Sequence, residues 1–178
     1  AVEISHLTKD YGSFRLDDVS FTVPGGTIMG LIGENGAGKS TTIKCILNLV
    51  HRDGGTITVF GKDTIKEERA VKSEIGVVLD EVLFHDVLQP RQVGKILSGL
   101  YPNWDMSLFD HYLEKFGLTE KKTVKEFSRG MKMKLAIAAA FAAKPRLLIL
   151  DEATSGLDPV VRDEILDEFL EFITVEEH

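Results

Sequence analysis

Val2 to Leu7 alternates apolar and polar residues, which predicts a strand ending at a Tyr11-Gly12 turn. Residues 19–23 predict a second strand, closed by Pro24-Gly25-Gly26, and the apolar run at 27–32 a third. Ile43, Ile46, Leu47 and Val50 are spaced as one face of a helix, expected over about 39–49 and stopped before Asp53-Gly54-Gly55. The β-branched and aromatic run 56–60 predicts a strand, 66–72 a polar helix, and 75–79 a short strand of the buried kind. Between residues 80 and 144 the pattern changes, with helices expected over 87–99, 107–116 and 128–143 and no strand among them. That is the pattern of a helical lobe (80–144) inserted into an α/β core made of 1–79 and 145–178, in one domain. Residues 146–150 return to a buried strand, and 159–173 form the last helix. In that helix Ile165, Leu166, Phe169, Leu170 and Ile173 share one face, and Asp163, Glu164, Asp167, Glu168 and Glu171 form a mostly opposite, solvated acidic stripe.

Between the strand expected at 27–32 and the helix after it lies Gly33-Glu34-Asn35-Gly36-Ala37-Gly38-Lys39-Ser40-Thr41, which fits Gly, four residues, Gly-Lys-Ser/Thr. Glycines permit positive φ and close approach, so successive N–H groups converge on phosphate oxygens at the positive end of the helix. Lys39 supplies a point charge for the β and γ phosphates and the Ser40 hydroxyl a ligand for Mg²⁺. A plain Gly-rich turn is the alternative, and the flanking strand and helix argue against it. Leu147 to Leu150 is an apolar strand ending in Asp151 and Glu152. A buried parallel strand delivers such carboxylates to the sheet edge where ligands bind, so Asp151 suits Mg²⁺ and Glu152 a base for water. Taken alone, the pair equally suits a helix cap or solvent. Ser128 opens an Ala-rich helix as an N-cap, with a positive dipole end behind it.

Composition narrows these readings. The chain has 178 residues, 43% of them hydrophobic, enough for one core of normal size. Its one cysteine, Cys45, excludes an internal disulfide and is expected as a buried thiol in a reducing compartment. No apolar run approaches a membrane span and the start shows no signal-peptide pattern. A net charge of −7 gives no long-range attraction for nucleic acid or anionic lipid, so a partner in the membrane is expected to be a protein.

The order of phosphate loop, helical lobe, Ser-x-Gly at a helix start, Leu-Ile-Leu-Asp-Glu and Ser155-Gly156-Leu157-Asp158 resembles the nucleotide-binding domain of ATP-binding cassette (ABC) transporters over nearly the whole chain. The resemblance implies an α/β P-loop NTPase fold of ABC type, with a mixed sheet core and an inserted helical lobe. It implies ATP and Mg²⁺, with Gly33 to Thr41 as Walker A, Asp151 as the Walker B aspartate and Glu152 as the catalytic glutamate. Tyr11 matches the aromatic that stacks on adenine, though a core tyrosine is the alternative. Ser155, Gly156, Leu157 and Asp158 match the D-loop, while Asp158 before Pro159 is equally an ordinary N-cap. The family's Leu-Ser-Gly-Gly-Gln reads here Phe127-Ser128-Arg129-Gly130-Met131, a form resembling exporters with separate membrane subunits, including those handling peptide antibiotics. Asp80 stands where the family has glutamine; a carboxylate reaches Mg²⁺ or water but cannot donate as an amide does. No apolar strand with a switch histidine follows Ile173, and His178 is not that residue. A truncated chain that binds nucleotide better than it turns it over is therefore expected.

The implied partners are a second ATP-binding subunit, in a homo- or heterodimer where each signature acts across the interface, and an integral membrane subunit. The implied location is the cytoplasmic face of the membrane, with no nucleic-acid role. A soluble ABC ATPase that moves no solute and a regulatory module that holds ATP without hydrolysis are the rival readings. A GTPase is a poorer one, since no Asn-Lys-x-Asp is present.

Overall fold

A computed structural model describes residues 1–79, 84–118, 121–154 and 157–174. The chain forms two compact units, Ala1–Lys72 and a second beginning at Ser73.

The first unit is built on an antiparallel sheet in which β1 (Val2–Asp10) lies between β2 (Arg15–Val23) and β3 (Gly54–Val59), with the short β4 (Lys62–Asp63) on the outer edge of β3. Register follows the alternation: Ile4 pairs with Phe21 on one side and Ile57 on the other. Val2, Ile4, Leu7, Leu16, Ile57 and Val59 are buried, as are Ile43, Cys45 and Ile46 of α1 (Lys39–Ile46). Burial pushes the Cys45 thiol above its ordinary pKa, as an inert core thiol requires. β1 bulges near His6, whose backbone is left-handed and whose amide donates to Ser20 Oγ at 2.8 Å. Opposite the bulge Gly55 is obligatory, because a Cβ there would collide with the His6 carbonyl oxygen. Arg52 is buried and donates to the Gly55 carbonyl (3.1 Å) and Thr64 Oγ1 (2.9 Å), tying the turn before β3 to the turn after β4. A short helix, α2 (Glu68–Lys72), closes the unit.

The strand expected at 27–32 is not formed. Those residues join none of the four strands of this sheet, and Ile28, Met29, Leu31 and Ile32 are exposed, Ile32 to 98%. An apolar run becomes a strand only when a neighbouring backbone takes its N–H and C=O groups, and residues 27–32 pair with no strand of the first unit's sheet.

In the second unit β5 (Ile75–Val78) and β6 (Leu147–Leu150) pair in parallel, Ile75 with Leu147 through Val78 with Leu150. Among the described residues four α-helices accompany them: α3 (Pro90–Leu97), α4 (Met106–Lys115), α5 (Arg129–Ala142) and α6 (Pro159–Thr174). One hydrophobic cluster unites Val78, Val93, Phe109, Leu113, Val124, Met133, Ile137, Phe141 and Ile165. Gly94 lets α3 approach α4 closely, since a Cβ there would lie 2.5 Å from the Phe109 ring. Helix starts are capped as their sequences dictate: Gln89 and Gln92 form a reciprocal box at α3, and Asp105 accepts from the Leu108 amide at α4.

Helix α6 departs from the expected faces. It buries Ile165, half-buries Val161, Phe169 and Phe172, and leaves Leu166, Leu170 and Ile173 exposed. Glu168, expected in a solvated stripe, is 4% exposed and pairs with Lys115 of α4 at 2.5 Å. The aromatic residues decide the rotation: Phe169 and Phe172 both meet the ring of Phe141, which stacks on Tyr112. Turning α6 to bury them carries Glu168 inward, where Lys115 meets its charge.

Candidate functional site

In the first unit the loop from Gly33 to Thr41 is a sequence of turns followed by the start of α1. Gly36 and Gly38 have φ of +87° and +97°, values open to glycine at little cost. Gly38 is also tightly walled: a Cβ would lie 2.8 Å from Leu16 Cδ1 and 3.0 Å from the Phe14 ring. Leu16 and Phe14 were not legible as shapers of the loop, because they are distant from it in sequence and carry no phosphate chemistry. The Ala37 amide donates to the Glu34 carbonyl at 3.1 Å, closing a turn across Asn35 and Gly36. Helix α1 starts at Lys39 with no side-chain cap and no acid in its first turn. The partial positive charge of that end is thus unopposed by its own side chains, a setting that favours an anion. Lys39 Nζ donates to the carbonyls of Gly33 (2.7 Å) and Glu34 (2.9 Å), so the ammonium is held at the loop it belongs to. Ser40 and Thr41 lie in the first turn, while the Thr42 hydroxyl is spent on the Gly38 carbonyl at 3.0 Å. Tyr11 stands in the turn between β1 and β2 and is half exposed, so the core-tyrosine alternative does not hold.

In the second unit the parallel pair continues one bond past β6, the Asp151 amide donating to the Val78 carbonyl at 2.9 Å. Asp151 is therefore fixed at the carboxyl edge of β5 and β6, half-buried, and Glu152 follows it exposed. Glu152 has φ of +52°, a left-handed conformation that costs an L-residue about 1–2 kcal/mol. Ser128 caps α5, its Oγ accepting from the Met131 amide at 3.2 Å, with Arg129, Gly130 and Met131 forming the helix's first turn. Asp158 caps α6 in the same way, accepting from the Val161 amide at 3.1 Å, and Leu157 before it is buried. The capping roles of both residues are thus real. Asp80, Ser155 and Gly156 lie outside the described residues.

In the first unit one ammonium, a glycine turn and an uncapped helix start suit phosphate, and the Ser40 hydroxyl suits a hard divalent ion; in the second, the half-buried Asp151 carboxylate has the chemistry of a ligand for such an ion. No helix among the described residues is long and apolar enough to cross a membrane.

The family model described as "ABC transporter" matches residues 16–155. The chain is 38% identical over 162 residues to the bacitracin transport ATP-binding protein BcrA of Bacillus licheniformis, covering 89% of this chain and 53% of that protein. It is 36% identical over 180 residues to the methionine import ATP-binding protein MetN of Clostridium acetobutylicum, covering 93% of this chain and 55% of that protein. The chain thus spans about half the length of these curated relatives. A solved ATP-binding subunit of an ABC transporter superposes with a TM-score of 0.87 at 29% identity, covering 97% of this chain and 75% of that one. Loop, acid pair and matched sequence agree, and the chain belongs to the ABC transporter family, with the P-loop NTPase fold of its ATP-binding subunits.

Proposed function

We propose that this chain is the ATP-binding and hydrolysing part of a subunit that powers an ABC transporter. The observation that carries it is the loop around Lys39: an ammonium, positive-φ glycines and an uncapped helix start within nine residues that match the family's sequence. In this reading Gly33 to Thr41 hold the phosphates through main-chain amides, Lys39 neutralises the β and γ groups, and Tyr11 stacks on adenine. Ser40, Asp151 and Asp80 would hold Mg²⁺, which neutralises charge on the phosphates. Glu152 orients a water and takes its proton as that water attacks the γ-phosphorus, while the β–γ bridging oxygen leaves with ADP.

Two such subunits pair head to tail. Ser128 to Met131 of each then face the nucleotide on the other, and Ser155 to Asp158 lie along the shared boundary. ATP joins the halves, and loss of the γ-phosphate loosens them. A membrane subunit on the cytoplasmic face converts that cycle into transport. The Ser128-Arg129-Gly130-Met131 signature and the 38% identity to BcrA support export, while the 36% identity to a methionine import protein supports the transporter ATPase without a direction.

Phosphate release tests the reading. In the full-length protein, Glu152→Gln should keep Mg-ATP binding and slow hydrolysis by roughly 10²- to 10⁴-fold. Full turnover in that variant removes Glu152 as the base. Wild-type binding without phosphate release favours a regulatory module, and purification without an integral membrane protein favours a soluble ABC ATPase.

A further inference from the structure

Where β1 leaves the sheet, a small charged network surrounds Tyr11. The turn before β3 is pinned beside it: Thr8 is in register with Gly54, and the Asp53 amide donates to the Thr8 carbonyl at 2.8 Å. The Asp53 carboxylate then reaches both residues that precede Tyr11. Its Oδ1 accepts from Lys9 Nζ at 3.0 Å and its Oδ2 from the Asp10 amide at 2.7 Å. The far side of Tyr11 is fixed as well, the Gly12 amide donating to Asp10 Oδ1 at 2.6 Å and the Tyr11 amide to the Phe14 carbonyl at 2.9 Å. Lys9 Nζ lies over the Tyr11 ring, 5.3 Å from its centroid. The Lys9 side chain is largely buried, so the ammonium is held by Asp53 and the ring together instead of ranging through solvent.

We propose that Asp53 is a positioning residue for adenine recognition, fixing Tyr11 through the Asp10 amide and seating Lys9 on one face of the ring. This rests on Tyr11 as the adenine-stacking residue. With Lys9 over one face, the base stacks on the other, and a ring already fixed loses little freedom when it does so. The Asp10 amide and then Lys9 hold the Asp53 carboxyl below the usual carboxylate range, so it is charged wherever the protein works.

The test separates the base from the phosphates. Mg-ATP and inorganic tripolyphosphate are titrated by calorimetry into the full-length protein, Asp53→Asn, Tyr11→Ala and the double variant. Asp53→Asn should weaken ATP by about threefold to tenfold, the size of a partly exposed charged hydrogen bond, and leave tripolyphosphate within about twofold. Retained tripolyphosphate binding also reports an intact fold. In the double variant the ATP loss should equal that of Tyr11→Ala alone, since Asp53 acts through the ring. Equal losses for both ligands, additive losses, or unchanged ATP affinity in Asp53→Asn would overturn the proposal. If Tyr11→Ala itself leaves ATP affinity unchanged, the adenine reading of Tyr11 fails and this one with it. If Tyr11→Ala weakens ATP and Asp53→Asn does not, only the positioning role fails.

Discussion

Residues 27–32 and Leu147–Leu150 are both short apolar runs leading to candidate site residues, yet only the second is a strand. β6 exists because β5 lies beside it and takes its amides and carbonyls in a parallel ladder, extended to Asp151 by the bond to Val78. The other run has Gly30 at its centre and no ladder in the first unit's sheet. Ile32 is 98% exposed, where Ile149 is 9% exposed. Hydrophobicity nominates a strand, and a hydrogen-bonding neighbour makes one. The acid pair is thus held by a sheet, while the phosphate loop depends on its own turns and on α1.

Four substitutions sharpen this contrast. Ile149→Ala should cost about 2–5 kcal/mol in chemical denaturation, because it opens a cavity in a paired strand; a cost below about 1 kcal/mol would show that β6 is not under load. Gly38→Ala comes next, at about 1–3 kcal/mol, from the left-handed backbone and crowding against Leu16 and Phe14. The same variant should lose Mg-ATP binding, and normal stability with normal binding would contradict the walled turn.

The third effect depends on pH. Burial, then the charges of Glu168 and Glu171, push the Tyr112 hydroxyl from 10.0 up to about 12. Between those values an unfolded tyrosine has lost its proton and the folded one has kept it, so stability present below pH 10 drains away as pH rises. Lys115, raised chiefly by its bond to Glu168, loses its contribution over the same alkaline range. Tyr112→Phe should therefore flatten, without abolishing, the fall in Tm from pH 10 to 12, and an unaltered slope would refute the assignment. Smallest of all, Ile32→Ala should change stability by no more than about 0.5 kcal/mol. A loss as large as that of Ile149→Ala would mean that residues 27–32 are packed after all.

Much of the candidate site's local geometry was legible because a glycine turn and a helix start are local in sequence. The glycines, Lys39 and Ser40 occupy one turn and one helix start, and the strand spacing delivers Asp151 to a sheet edge. Ser128 and Asp158 were legible as caps for the same reason, since a cap acts three residues away. What escaped was set by contacts distant in sequence. The orientation of α6 depends on Phe141, far from Phe169 and Phe172 in sequence, and the burial of Glu168 on Lys115. The walls of Gly38 come from Leu16 and Phe14, and the fixing of Tyr11 from Asp53. Periodicity ranks the faces of a helix by hydrophobicity; packing chose aromatic bulk over Leu166, Leu170 and Ile173, and paired the acid that came with it.

The most direct measurement is a calorimetric titration of Mg-ATP into the full-length protein and its Lys39→Ala variant. The wild type should bind, and the variant should be weaker by about 10²-fold or more, because a charge aimed at the β and γ phosphates has gone. Equal affinity in the two proteins would contradict the assignment of the loop.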